Sequence, residues 1–118
     1  MRDHTKLRAF TLADQLVLDV YTATQQFPKE ELFGLTSQLR RAVLSTASNI
    51  VEGCARNTEA DFLHFLDMAY GSAREVEYQL TIAARLGYLS DKDKDTLISQ
   101  SVETCKVLNG LIRSLRKS

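Results

Sequence analysis

Leu35, Leu39, Ala42, Val43, Thr46 and Ile50 recur at intervals of three and four residues. A chain that repeats its apolar residues with that period forms an α-helix, because 3.6 residues per turn brings them to one side. The same stretch collects a second stripe, Arg41, Ser45, Ser48, Asn49 and Glu52. Most of these side chains are short and hydrogen-bonding, where a helix facing only water carries long charged ones. A helix from about Leu35 to Cys54, touched on two sides, is the expectation around which the rest of the chain is placed.

Three more amphipathic segments flank it. Thr11 and Asp14 approximate a capping box, so the first helix is expected to start at Thr11 and to show Leu12, Leu16, Val20, Ala23 and Phe27 on one face. Pro28 closes it, since the residue before a proline is driven out of helical geometry. Thr58 and Asp61 repeat the cap pattern ahead of Phe62, Phe65, Leu66, Ala69, Ala73, Val76, Leu80 and Ala83, with Gly87 as the stop. Within that third helix, Gly71 costs about 1 kcal/mol of propensity relative to alanine, which predicts a close backbone approach or a bend there. Ser90 and Asp93 cap a fourth helix, with Ile98, Val102, Cys105, Leu108, Ile112 and Leu115 as its face. No period-two run or hairpin dipeptide competes. The prediction is all-α: one domain over residues 1–118, an antiparallel up-down-up-down four-helix bundle, with residues 1–10 as an N-terminal arm.

Length and charge narrow the function classes. A chain of 118 residues buries a core without metal or disulfide staples. Fifteen basic and fifteen acidic residues give a formal net charge of zero, so the molecule lacks the overall positive field of a general nucleic-acid binder, and any such binding has to be local. Cys54 and Cys105 lie inside apolar patterns without metal-ligand spacing and read as buried thiols of a reducing compartment, with a disulfide between them as the alternative. No apolar run approaches membrane-spanning length and the N-terminal residues lack a secretion signal, which sets cytoplasm and no membrane as the expectations.

Few constellations carry chemistry. Asn49 and Glu52, with Ser72 or Glu75 on the next helix, form either a polar network that fastens two helices or a ligand site with a carboxylate base; fastening is favoured, because buried polar groups normally occur paired. Asp61 and His64 are the nearest approach to a bundle di-metal motif, and with only His4 besides the ligand count fails, so neither metal nor cofactor is expected. No catalytic triad or phosphate-binding glycine loop can be assembled. An enzyme using Glu52 and Glu75 is the least favoured reading. Arg40, Arg41 and Arg56, with Arg113, Arg116 and Lys117 in a tail that has no acid after Glu103, are the candidate nucleic-acid contacts. The small-residue faces near Ser45, Ser48 and Ser72 predict further packing, and with it an oligomer.

In order and spacing, FPKEELFGLTSQLRRA, SNIVEG, FLHFLDMAYGSAREVE and the following LGYL resemble the bacterial four-helix-bundle proteins encoded in intervening sequences of large-subunit ribosomal RNA genes. The resemblance covers nearly the whole chain. It implies a cytosolic, ring-shaped homopentamer without an assigned activity. One branch of such proteins is the accessory protein of diversity-generating retroelements, a basic pentamer that binds nucleic acid and a reverse transcriptase. The net charge of zero departs from that branch. Taken together, these readings predict a non-enzymatic oligomeric binding or scaffold protein whose partners are other copies of itself and RNA, DNA or a nucleic-acid enzyme, with a protein-only scaffold as the alternative.

Overall fold

The computed structural model describes residues 1–117, and among these it contains helices and no strand. Helix α1 spans Arg8–Thr24, α2 Leu35–Cys54, α3 Glu59–Arg85 and α4 Asp91–Arg116. Single 3-10 turns cover His4–Lys6 and Lys29–Glu31. The molecule measures 44 × 23 × 19 Å, the proportions of helices lying side by side. Each helix packs on two others: α1 on α2 and α4, and α3 on α2 and α4. The result is a four-helix bundle.

Two apolar clusters fill it. The first joins Ala9 and Ala13 of α1, Ile50 and Cys54 of α2, Phe62, Leu66 and Ala69 of α3, and Leu108 and Ile112 of α4. The second joins Leu16 and Val20, Leu39 and Val43, Val76 and Leu80, and Leu97. In the first cluster the beginnings of α1 and α3 meet the ends of α2 and α4, and in the second the relation is reversed.

Local chemistry sets the helix ends. Thr58 Oγ1 accepts from the Asp61 amide at 3.1 Å and Ser90 Oγ from the Asp93 amide at 3.1 Å, so both predicted caps form, each supplying a partner to an otherwise free amide. Gly87, at φ +79°, ends α3 with a left-handed cap: the Tyr88 amide donates to the Ala83 carbonyl at 2.9 Å and the Gly87 amide to that of Ala84 at 3.0 Å. Glu31 ties two connectors together. One carboxylate oxygen accepts from the Leu35 amide at 3.1 Å, placing negative charge at the start of α2, and the other accepts from the Tyr88 hydroxyl at 2.9 Å. That hydrogen bond is the largest cause of the upward shift of the Tyr88 phenol, because it is donated only by the protonated form.

Several expectations are corrected. Helix α1 begins at Arg8, three residues before Thr11, whose hydroxyl donates back to the Leu7 carbonyl instead of capping. Its buried face is Ala9, Ala13, Leu16, Val20 and Thr24, with Leu12 and Ala23 at the margin; the alanines let the helix approach its neighbours closely, and a reading weighted by side-chain size passes over them. The first residues are docked. The Arg2 amide donates to the Cys54 carbonyl at 2.7 Å, its guanidinium lies 4.1 Å from the centre of the Phe62 ring, and it pairs with Glu59. Along α4, Cys105, Leu108 and Ile112 are buried as expected, but in the first half of the helix the face is shifted, because Leu97, Ser101 and Thr104 are buried while Ile98 and Val102 are only partly covered. Finally, a Cβ at Gly71 meets no heavy atom within 4 Å, so this glycine marks no close approach within the bundle, whereas one at Gly53 would lie 2.9 Å from Phe65 Cβ.

Candidate functional site

A polar seam runs between helices α2 and α3. At its centre Ser45 Oγ and Ser72 Oγ are 3.0 Å apart, and Asn49 Nδ2 donates to Ser45 Oγ at 3.1 Å. Toward the start of α2 the seam opens into a cleft of about 310 Å³ lined by Gln38, Arg41, Ser45, Ser72, Glu75 and Gln79. Gln79 is only 9% exposed, and its Oε1 is buried without a hydrogen-bond partner.

Asn49 and Ser72 thus belong to one network, as the sequence suggested, and Ser45 completes it. Glu52 does not join it: its carboxylate pairs at 2.6 Å with Arg56, just beyond the end of α2. Glu75 stands in the wall of the cleft beside Arg41. Phe65 packs at Gly53, next to Glu52, and ten residues at 1.5 Å each put Glu75 about 15 Å further along α3. The two carboxylates therefore do not form one site. Replacing Asn49 by alanine removes a half-buried hydrogen bond and should lower stability by about 1 kcal/mol. Glu52→Gln alters an exposed ion pair and should change stability by no more than about 0.5 kcal/mol. Thermal melts of the two variants at one protein concentration check the contrast; equal losses would contradict it.

The basic residues divide in the same way. Arg40 is turned inward: Nε donates to Thr24 Oγ1 at 2.8 Å, Nη2 donates to the Tyr21 carbonyl at 3.2 Å, and the guanidinium lies 4.8 Å from the centre of the Tyr21 ring. Arg56 pairs with Glu52 and stacks on Phe65 at 4.6 Å, and Arg116 pairs with Asp67. These three hold helices to helices or connectors. Arg41, Arg113 and Lys117 are exposed and, among the described residues, stand outside the ion pairs.

His64 lies on the surface with its ring edge-on to Phe65 at 5.5 Å, and among the described residues no three His, Cys, Asp or Glu side chains gather as a metal site. Both cysteines are buried free thiols. Burial pushes both up, Cys105 to about 12, where the nearby Glu77 carboxylate adds to the shift. They stay protonated at neutral pH and are poor nucleophiles. No described helix is long and apolar enough to cross a membrane.

Sequence reasoning missed the exposed apolar side chains beside this seam: Leu44 and Val51 on α2, and Met68 and Tyr78 on α3. It also missed Gln79, although an amide three residues after Val76 and one before Leu80, inside an apolar stripe, was the available signal.

An all-helical four-helix bundle with an uncovered α2–α3 seam is thus the class that fold and site define. Residues 5–110 match the family described as 23S rRNA-intervening sequence protein, and the chain belongs to that family. Among solved structures it is similar to a protein of unknown function from the S23 ribosomal protein family of Bacteroides thetaiotaomicron, with a TM-score of 0.80 and 23% identity over 89% of this chain and 95% of that one. At that identity the likeness speaks for the fold. No curated protein matches.

Proposed function

We propose that this protein is a non-enzymatic subunit of a homo-oligomer that works in the cytoplasm as a binding or scaffold module. The observation that carries this reading is the outer face of α2 and α3. Leu44, Val51, Met68 and Tyr78 are 47%, 36%, 38% and 65% exposed, in line with Ser48 and Gly71, where a helix facing only water places long charged side chains. The resemblance to ring-forming relatives supports five copies. Light scattering on the purified chain tests the reading, with an oligomer expected at micromolar concentration and a monomer overturning it.

Structured RNA or DNA, or an enzyme that acts on it such as a reverse transcriptase, is the favoured partner, and a protein-only scaffold is the alternative. One feature supports the nucleic-acid reading: Arg113 lies exposed in the last turn of α4 and Lys117 exposed at its C-cap. Repeated by symmetry, these two cations form a belt in a molecule of zero net charge. Two phosphate contacts per protomer predict that affinity for RNA falls about tenfold per engaged protomer between 50 and 200 mM salt. Arg113→Gln combined with Lys117→Gln should abolish binding while leaving the oligomer intact. Binding that survives either high salt or the double variant contradicts a phosphate-contact mechanism. RNA sequenced from the complex purified from cells would identify the ligand.

A further inference from the structure

Within one protomer, α3 runs back along α2. Gly53 meets Phe62 and Phe65, Ser45 meets Ser72, and the cleft brings Gln38 together with Gln79 and Arg41 with Glu75. Residues that share a height along the bundle therefore alternate between the two helices. Arg41 and Glu75 stand exposed at nearly the same height, and neither belongs to an ion pair among the described residues.

From this juxtaposition of the exposed, unpaired Arg41 and Glu75 we infer that the outer face of α2 packs on the outer face of α3 in a second copy of this chain, about a rotation axis parallel to the helices. This rests on the oligomeric reading above and adds the surface. A rotation about such an axis leaves every residue at its own height. The α2 stripe of one copy then lies level with the α3 stripe of its neighbour, whatever the number of subunits. Arg41 comes opposite Glu75 of the neighbouring copy. The face thus carries its own complement in charge. It does so in shape as well, because Ser48 and Gly71 leave room for close approach while Leu44 and Met68 supply apolar area.

Charge reversal tests the pairing. Arg41→Glu and Glu75→Arg each place like charges opposite one another, and each is expected to raise the concentration at which the oligomer dissociates at least tenfold by light scattering; the double variant should restore the parent's behaviour. Circular dichroism confirms that each variant is helical. Gly71→Gln is a second probe that spares the protomer, where a Cβ meets nothing within 4 Å; it should dissociate the oligomer without lowering helicity. If the single reversals or Gly71→Gln leave the mass unchanged, copies meet through another surface, and this assignment falls while the oligomeric reading stands. Failure of the double variant to restore assembly overturns the Arg41–Glu75 pairing. A parent chain that is monomeric overturns both, leaving the face to a different partner.

Discussion

Phe62→Ala is expected to destabilise the protein by about 3–5 kcal/mol, the usual cost of emptying a buried phenylalanine site. Phe62 is 1% exposed in the cluster where the ends of α2 and α4 meet the starts of α1 and α3. Its ring also anchors the N-terminal residues, because the Arg2 guanidinium rests on it at 4.1 Å while the Arg2 amide donates to the Cys54 carbonyl. The substitution therefore removes core volume and loosens the cap on α2 together. Domains of this size have a total stability of roughly 5–15 kcal/mol, so the loss is a large share of it and should lower the melting temperature by on the order of 10–20 °C. Phe65→Ala, at a half-buried ring, should cost distinctly less. A Phe62→Ala melt within about 5 °C of the parent, at matched protein concentration, would contradict this packing.

Gly53→Val should destabilise by roughly 2–3 kcal/mol through overpacking. At this position α2 and α3 come so close that a Cβ would lie 2.9 Å from Phe65 Cβ and 3.3 Å from the Phe62 carbonyl oxygen. A backbone atom and a Cβ do not swing aside as the end of a flexible side chain does, so the helices have to separate. Gly110→Ala provides the control of opposite sign. Gly110 lies within α4 with no heavy atom within 4 Å of an added Cβ, and there alanine should gain about 1 kcal/mol of helix propensity. The pair of melts separates backbone propensity from packing; a stabilising Gly53→Val would show that the α2–α3 contact is looser than described.

How much was legible depended on which physical signal each residue carries. Helix α2 was placed from its period alone, and the caps at Thr58 and Ser90 and the stop at Gly87 were read correctly because each rests on chemistry confined to a few consecutive residues. The start of α1 was misplaced because Leu7 caps it without a side-chain hydrogen bond, leaving no residue type to read. The face of α4 was legible at Cys105, Leu108 and Ile112 and missed at Ser101 and Thr104, which are buried polar residues; Thr104 meets its need locally by donating to the Gln100 carbonyl at 2.8 Å, which makes it welcome in a core that hydropathy denies it. Gly53 and Gly71 look alike in sequence and differ only in what faces them across space. For the candidate site, helical spacing placed Asn49 and Ser72 in one network but wrongly added Glu52, which pairs with Arg56, while the inward turn of Arg40 depended on Thr24 and Tyr21, sixteen and nineteen residues away.

The central claim is that this bundle is one subunit of an assembly, and the mass of the parent chain in solution tests it most directly. Light scattering coupled to size exclusion at micromolar concentration should give a whole-number multiple of the 13.3 kDa chain mass, five-fold on the reading proposed above. A single species at the mass of one chain would contradict the account.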